Sequence, residues 1–174
     1  MRITAELRYI DTCCLMMFIN DRDIFRNYYG MGKKRAENCM SKALRPFTIP
    51  IPALGEAVYK IRDKTGDKWI DSLKELNRLI DIGFLNITYL QNSTELYKVA
   101  KELCRPVNDD RDRISPTDAL IVAAATVDPD CSTLYTTDSV IITDTHLTEY
   151  ITTWREDNDF PPLAITDLSS ILKY

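Results

Sequence analysis

Short apolar runs alternate with longer polar stretches that carry apolar stripes. The runs that predict β-strands are Leu7–Ile10, Pro46–Pro52, Phe84–Leu90, Ser132–Thr137 and a short one within 161–168. Between them, apolar residues recur at three- and four-residue spacing, which is typical of helices packed on a core. These helices are predicted at about 13–19, 53–66, 66–83, 94–104, 114–127 and 145–155. Alternating strands and helices predict a three-layer α/β/α fold around a central, mostly parallel sheet of roughly five strands.

Chain length and composition narrow the class of protein. The 174 residues, 45% of them hydrophobic, suit one domain spanning 1–174. A polar, basic segment at about 20–46, divided by Gly30 and Gly32, predicts a helical insertion. No run of eighteen apolar residues occurs, and the charged start MRITAELRYID is unlike a signal peptide. We therefore expect a cytoplasmic protein without a membrane partner.

The remaining composition excludes two kinds of chemistry. Five cysteines lack any C-x-x-C pair and His146 is the single histidine, so neither a cysteine-rich zinc site nor a histidine base is supported. The net charge of −4 disfavours a protein that coats nucleic acid by bulk electrostatics. A nucleic-acid enzyme remains consistent with this charge if its acids lie in a metal site and its bases in one patch.

Four acids occupy similar positions relative to the predicted elements. Asp11 follows the first strand and Asp138 the fourth, while Glu56 and Asp118 lie in the first turns of predicted helices. Each also has an ordinary structural interpretation, as a turn or helix-capping residue; Ser115, Pro116 and Asp118 form a common helix start. Parallel strands end at one edge of a sheet, where ligands bind, so the four carboxylates could converge there.

A carboxylate cluster is stable mainly when cations neutralise it. Oxygen ligands without histidine or cysteine favour Mg²⁺ or Mn²⁺. Two such ions about 4 Å apart can activate water and stabilise both oxygens of a phosphodiester displacement. Phosphodiester hydrolysis is therefore the reaction that such a site supports best. Further acids lie near these motifs and are either solvated loop residues or additional ligands: Asp110, Asp112 and Asp144.

Four segments together resemble the PIN domain, a family of metal-dependent ribonucleases that includes VapC-type toxins. They are YIDTCC with Asp11 and Thr12, IPIPALGEAVYKI with Glu56, SPTDALIVAAA with Asp118, and LYTTDSVI with Thr136 and Asp138. The resemblance implies that the acids hold one or two divalent ions for endonucleolytic RNA cleavage, supported by the hydroxyls of Thr12 and Thr136. It further implies an RNA substrate, an antitoxin as partner of a toxin–antitoxin pair, and a homodimer.

The 20–46 segment is longer and more basic than in a compact VapC-type toxin. Tyr28 and Tyr29 accompany its bases, of which Lys33, Lys34 and Arg35 are candidates for RNA binding through phosphates and stacking. A solvated helical face or a dimer surface explains the same pattern.

Two other classes of protein share parts of this sequence pattern. A PIN-like module without hydrolysis, acting in RNA binding or assembly, would keep the fold but bind metal weakly. A phosphatase with an aspartyl nucleophile would need a second Asp two residues after Asp11, where Cys13 stands. A receiver domain would need an acid pair and a late lysine that are not evident here.

Overall fold

Five parallel strands form the centre of the molecule. A computed structural model describes residues 6–20, 46–64, 66–89, 93–105 and 114–172. The strands are Leu7–Ile10 (β1), Phe47–Pro50 (β2), Leu85–Thr88 (β3), Cys131–Thr136 (β4) and Ala164–Asp167 (β5). Every strand pair is parallel, whereas the sequence predicted a mostly parallel sheet. The predicted three-layer α/β/α class and the five-stranded sheet are confirmed.

The order of the strands is β3-β2-β1-β4-β5. The chain builds outward from β1 to β2 and β3, then returns to place β4 on the other side of β1. The direction of winding therefore reverses between β1 and β4. In parallel sheets a ligand crevice opens outside the carboxyl ends of the strands at such a reversal. Asp11 follows one of these two strands and Asp138 the other.

The helices fill the connections between strands. Their bounds are Thr12–Asn20 (α1), Ile51–Lys64 (α2), Trp69–Asp81 (α3), Ser93–Leu103 (α4), Pro116–Val127 (α5), Ser139–Thr143 (α6), Thr145–Asp157 (α7) and Ser169–Leu172 (α8). The helix predicted at 66–83 begins instead with a 3₁₀ turn at Gly66–Lys68, and the short helix α6 was not predicted. None of the described helices combines the length and apolar character that crossing a bilayer requires. The insertion predicted at about 20–46 lies, except for its end residues, outside the described residues.

Small side chains let α5 lie close to the sheet. Its residues 121–127 are all buried, three consecutive alanines among them. Tight packing of this kind fixes the helix along its whole length.

Aromatic contacts form another part of the core, with ring centroids 5.1 Å apart for Phe18 and Phe84 and 5.7 Å apart for Phe47 and Tyr135. Such contacts favour tilted or edge-on rings.

A buried arginine joins α5 to the start of β4. Arg155, on α7, is 1% exposed and donates from Nη1 to the carbonyl oxygens of Ala125, Thr126 and Asp128. Its Nη2 donates to the carbonyl of Cys131 at 3.0 Å. The last carbonyls of a helix lack partners inside the helix and carry its negative dipole end. The guanidinium supplies both hydrogen-bond donors for these carbonyls and a positive charge beside the dipole end. Burial lowers the pKa of Arg155.

We expect Arg155→Met to lower the free energy of unfolding by about 3–5 kcal/mol, because several buried carbonyls would lose a charged donor. Urea denaturation followed by circular dichroism measures this loss. The control is Arg78→Met, which removes a surface ion pair with Glu75 and should change the stability by less than about 1 kcal/mol. Equal effects of the two substitutions would contradict a clamping role for Arg155.

Candidate metal centre

Asp11 connects the end of β1 to the beginning of α1. Its main-chain carbonyl accepts from the Leu15 N–H at 3.0 Å, within the first turn of α1. Its side chain is 3% exposed. Oδ1 accepts from the Thr12 N–H, and Oδ2 accepts from the Thr136 hydroxyl at 2.8 Å. The carboxylate is therefore held between β1 and β4, where the winding of the sheet reverses.

Glu56 comes from α2, which follows β2. The sequence placed this residue in a first turn, but the helix begins at Ile51, which puts Glu56 in the second turn. Its Oε1 lies 2.6 Å from Nζ of Lys60, one turn further along the helix. Its Oε2 is buried and has no hydrogen-bond partner among the described residues. A buried carboxylate oxygen without a partner is costly, and a bound cation would offset that cost.

Asp118 lies in the first turn of α5 and has two roles. The Ser115 side chain accepts from the Asp118 N–H at 3.2 Å, while the Ser115 hydroxyl donates to Asp118 Oδ2 at 2.6 Å. This reciprocal pair is the helix start that the sequence predicted. The same carboxylate, half-buried, also faces Asp11 and Glu56. Capping and membership of the acidic group are therefore compatible.

Three of the four predicted acids come together. Asp11, Glu56 and Asp118 each offer one ligand atom, and these atoms lie within 4.8 Å of one another. Three separate connections of the sheet supply them. The Thr12 hydroxyl donates to the Ala53 carbonyl at 3.2 Å and so ties α1 to the helix that carries Glu56. These three acids, which we call the acidic triad, could hold a metal ion.

Asp138 lies beside the triad and outside that 4.8 Å group. It is half-buried and is the N-cap of α6, with Oδ1 accepting from the Val140 N–H at 2.8 Å. Its own N–H donates to the Thr136 hydroxyl at 3.0 Å, and that hydroxyl donates to Asp11. Thr136 thus joins the two acids.

Asp144, a further acid that the sequence singled out, is the N-cap of α7 and accepts from the Leu147 N–H. It is therefore a helix-capping residue and not a solvated loop acid.

The charges of the triad act on one another. Burial raises the pKa of Asp11 well above its ordinary value, and the charge of Asp118 raises it further. Burial also raises the pKa of Asp118, as do the charges of Glu56 and Asp138. Burial alone would lower the pKa of Lys60, but the ion pair with Glu56 and the charges of the other two acids raise it. The group therefore favours positive charge at its centre.

The sequence analysis missed two residues of this site. The Cys13 thiol donates to Asp11 Oδ2 at 3.0 Å, and Cys13 Sγ accepts from the Thr137 N–H at 3.2 Å. Nothing in the sequence pattern marks this thiol. Lys60 follows Glu56 at the i,i+4 spacing of helical ion pairs and could have been found from that spacing. Other candidates lie outside the described residues: Lys33, Lys34, Arg35, Asp110 and Asp112.

The donor set fits a hard divalent cation. Carboxylate oxygens are the ligands that Mg²⁺ and Mn²⁺ prefer, and these ions complete their shell with water. Among the described residues the buried Oε2 of Glu56 has no hydrogen-bond partner, so this atom could serve as a ligand of such a cation. An arrangement of this kind supports hydrolysis at a phosphate, where negative charge develops on oxygen.

Comparison with known proteins adds no relative: no family model matches the chain, and no curated protein is detectably similar to it in sequence.

Proposed function

We propose that this protein is a Mg²⁺- or Mn²⁺-dependent endoribonuclease that hydrolyses RNA phosphodiester bonds at the acidic triad. The observation that supports this most strongly is the convergence of three carboxylates at the reversal point of a parallel sheet, with one buried oxygen left free. A bound divalent ion would supply the positive charge that makes water a better nucleophile and stabilises the departing oxygen.

The chain's own groups fix the geometry of this reaction. Thr136 and the Thr12 N–H hold Asp11 in one orientation, and Ser115 does the same for Asp118. Hydrogen bonds to ligating carboxylates of this kind keep the ligands in place. Asp11, Glu56 and Asp118 would bind the ion directly, and Asp138 would contribute through water because it lies outside the 4.8 Å group.

The RNA substrate follows from the resemblance of the four acidic segments to PIN domains. The basic 20–46 segment, with Lys33, Lys34 and Arg35, is the part of the chain best suited to bind RNA phosphates. A role as the toxin of a toxin–antitoxin pair, with an antitoxin partner and a homodimer, follows from the same resemblance. A cytoplasmic location belongs to this proposal as well.

We expect a mixed pool of structured and single-stranded RNA to be cut with Mg²⁺ or Mn²⁺ and left intact with EDTA. Asp118→Asn should slow cutting by about 100-fold or more, because it removes a charged ligand worth several kcal/mol in the transition state. The matched control is Asp144→Asn, the same substitution at a helix cap outside the triad, which should cut normally. Gel analysis of labelled RNA measures both rates.

Wild-type cutting that persists in EDTA, or an unchanged rate in Asp118→Asn, would overturn the proposed function. If the wild type binds RNA without cutting it under either metal, the protein is a binding or assembly module instead. The result for Asp118→Asn is decisive because the Asn side chain can still accept the Ser115 hydrogen bond, so the start of α5 survives the substitution.

We expect Asp118→Asn to raise the thermal unfolding midpoint of the metal-free protein by about 2 °C or more, because it relieves repulsion within the triad. The wild type should gain stability when Mn²⁺ is added, and the variant should gain much less. Differential scanning calorimetry of both proteins, in EDTA and with an excess of Mn²⁺, measures both shifts. A variant less stable than the metal-free wild type would contradict the expected repulsion within the triad.

A further inference from the structure

Lys60 is a cation built into the acidic site. Its Nζ lies 2.6 Å from Glu56 Oε1, and the side chains of Lys60 and Glu56 are only 28% and 17% exposed. The ion pair of Lys74 with Asp71, by comparison, has side chains 73% and 80% exposed and an N–O distance of 3.4 Å. Exposed pairs of that kind contribute little to stability. The Lys60 side chain is instead partly buried, and its ammonium is close enough to Asp11 and Asp118 to interact with their charges.

The two oxygens of Glu56 have different surroundings. Oε1 contacts the Lys60 ammonium, whereas Oε2 is buried without a hydrogen-bond partner in the part of the chain that the structure describes. One carboxylate can therefore contact two cations at once, the ammonium on one side and a metal ion on the other.

The charge count of the site is consistent with a single ion. Carboxylates that bind a metal ion are deprotonated, so in the metal-bound site three carboxylates and one ammonium carry two negative charges, which one divalent ion neutralises. A second divalent ion would leave the triad with an excess of positive charge in a partly buried position, which is unfavourable. Asp138 changes this count little, because it lies outside the triad and its carboxylate caps α6.

We propose that Lys60 occupies the position of a second cation, so that the site binds one divalent ion and not two. This inference rests on the proposed metal-dependent function and deepens it by fixing the number of ions. Lys60 is then a positioning residue, which holds Glu56 with Oε2 directed toward the ion.

The test counts Mn²⁺ ions per chain at saturation, from the electron paramagnetic resonance signal of free Mn²⁺ during a titration. We expect one ion for the wild type and two for Lys60→Met, which keeps the length of the side chain and removes its charge. Lys60→Arg restores the charge and should again bind one ion. Lys74→Met is the control for loss of a lysine ion pair elsewhere, and it should also bind one.

Two ions in the wild type, or one in Lys60→Met, would overturn the inference about Lys60 while leaving the nuclease proposal intact if metal-dependent cutting persists. No Mn²⁺ bound by the wild type would overturn both. Circular dichroism establishes that each variant is folded. If Lys60→Met does not fold, Lys60→Gln replaces it, and two ions in the wild type would still refute the inference on their own.

Discussion

Parallel pairing of β1 with both β2 and β4 is the constraint on which the rest of the structure depends. Because all five strands run in the same direction, each residue that follows a strand lies at the same edge of the sheet. The reversal of winding between β1 and β4 separates the connections at this edge and leaves room between them. Asp11 reaches this space directly from β1, whereas Glu56 and Asp118 reach it from helices that begin close to the same edge. The acidic triad is therefore a product of topology, since no two of its members are near one another in sequence.

The two edges of the sheet have opposite electrostatic character. At the amino edge, Arg155 donates to carbonyls of α5 and β4, and the Tyr9 hydroxyl donates to Asp128 Oδ2 at 2.6 Å. Burial and the contact with Asp128 raise the pKa of Tyr9, so this hydroxyl keeps its proton. Arg155 and Asp128 are thus both hydrogen-bonded there. At the carboxyl edge, carboxylates repel one another, and Oε2 of Glu56 is buried with no hydrogen-bond partner among the described residues. Stability and candidate function are thus divided between opposite ends of the same strands, as expected where a site is held in an unfavourable arrangement by a well-packed scaffold.

The sequence predicted the fold well because its signals are local. The periodicity of apolar residues predicted both ends of β1 correctly and the length of α5 to within two residues. The alternation of strands and helices predicted the parallel sheet. The sequence pattern missed two short elements. These are the 3₁₀ turn that precedes α3 and helix α6, whose five residues are too few to show a helical apolar stripe. For the site, the positions of Asp11, Glu56 and Asp118 relative to the strands and helices predicted their convergence only when taken together. The ion pair of Lys60 with Glu56 could be predicted from its spacing, but its burial could not, because burial is a property of the folded chain.

Helix caps and metal ligands are hard to distinguish in a sequence because both place a carboxylate at a helix N-terminus. Asp118, Asp138 and Asp144 all accept backbone N–H groups or lie in first turns, yet only Asp118 belongs to the triad. The shared chemistry has a physical consequence for the site. A helix N-terminus carries about half a positive charge, which partly offsets a carboxylate but cannot neutralise three of them. The Lys60 ammonium adds one full charge and still leaves the triad negative. The ionised triad could therefore hold a metal ion, which distinguishes it from a set of ordinary helix caps.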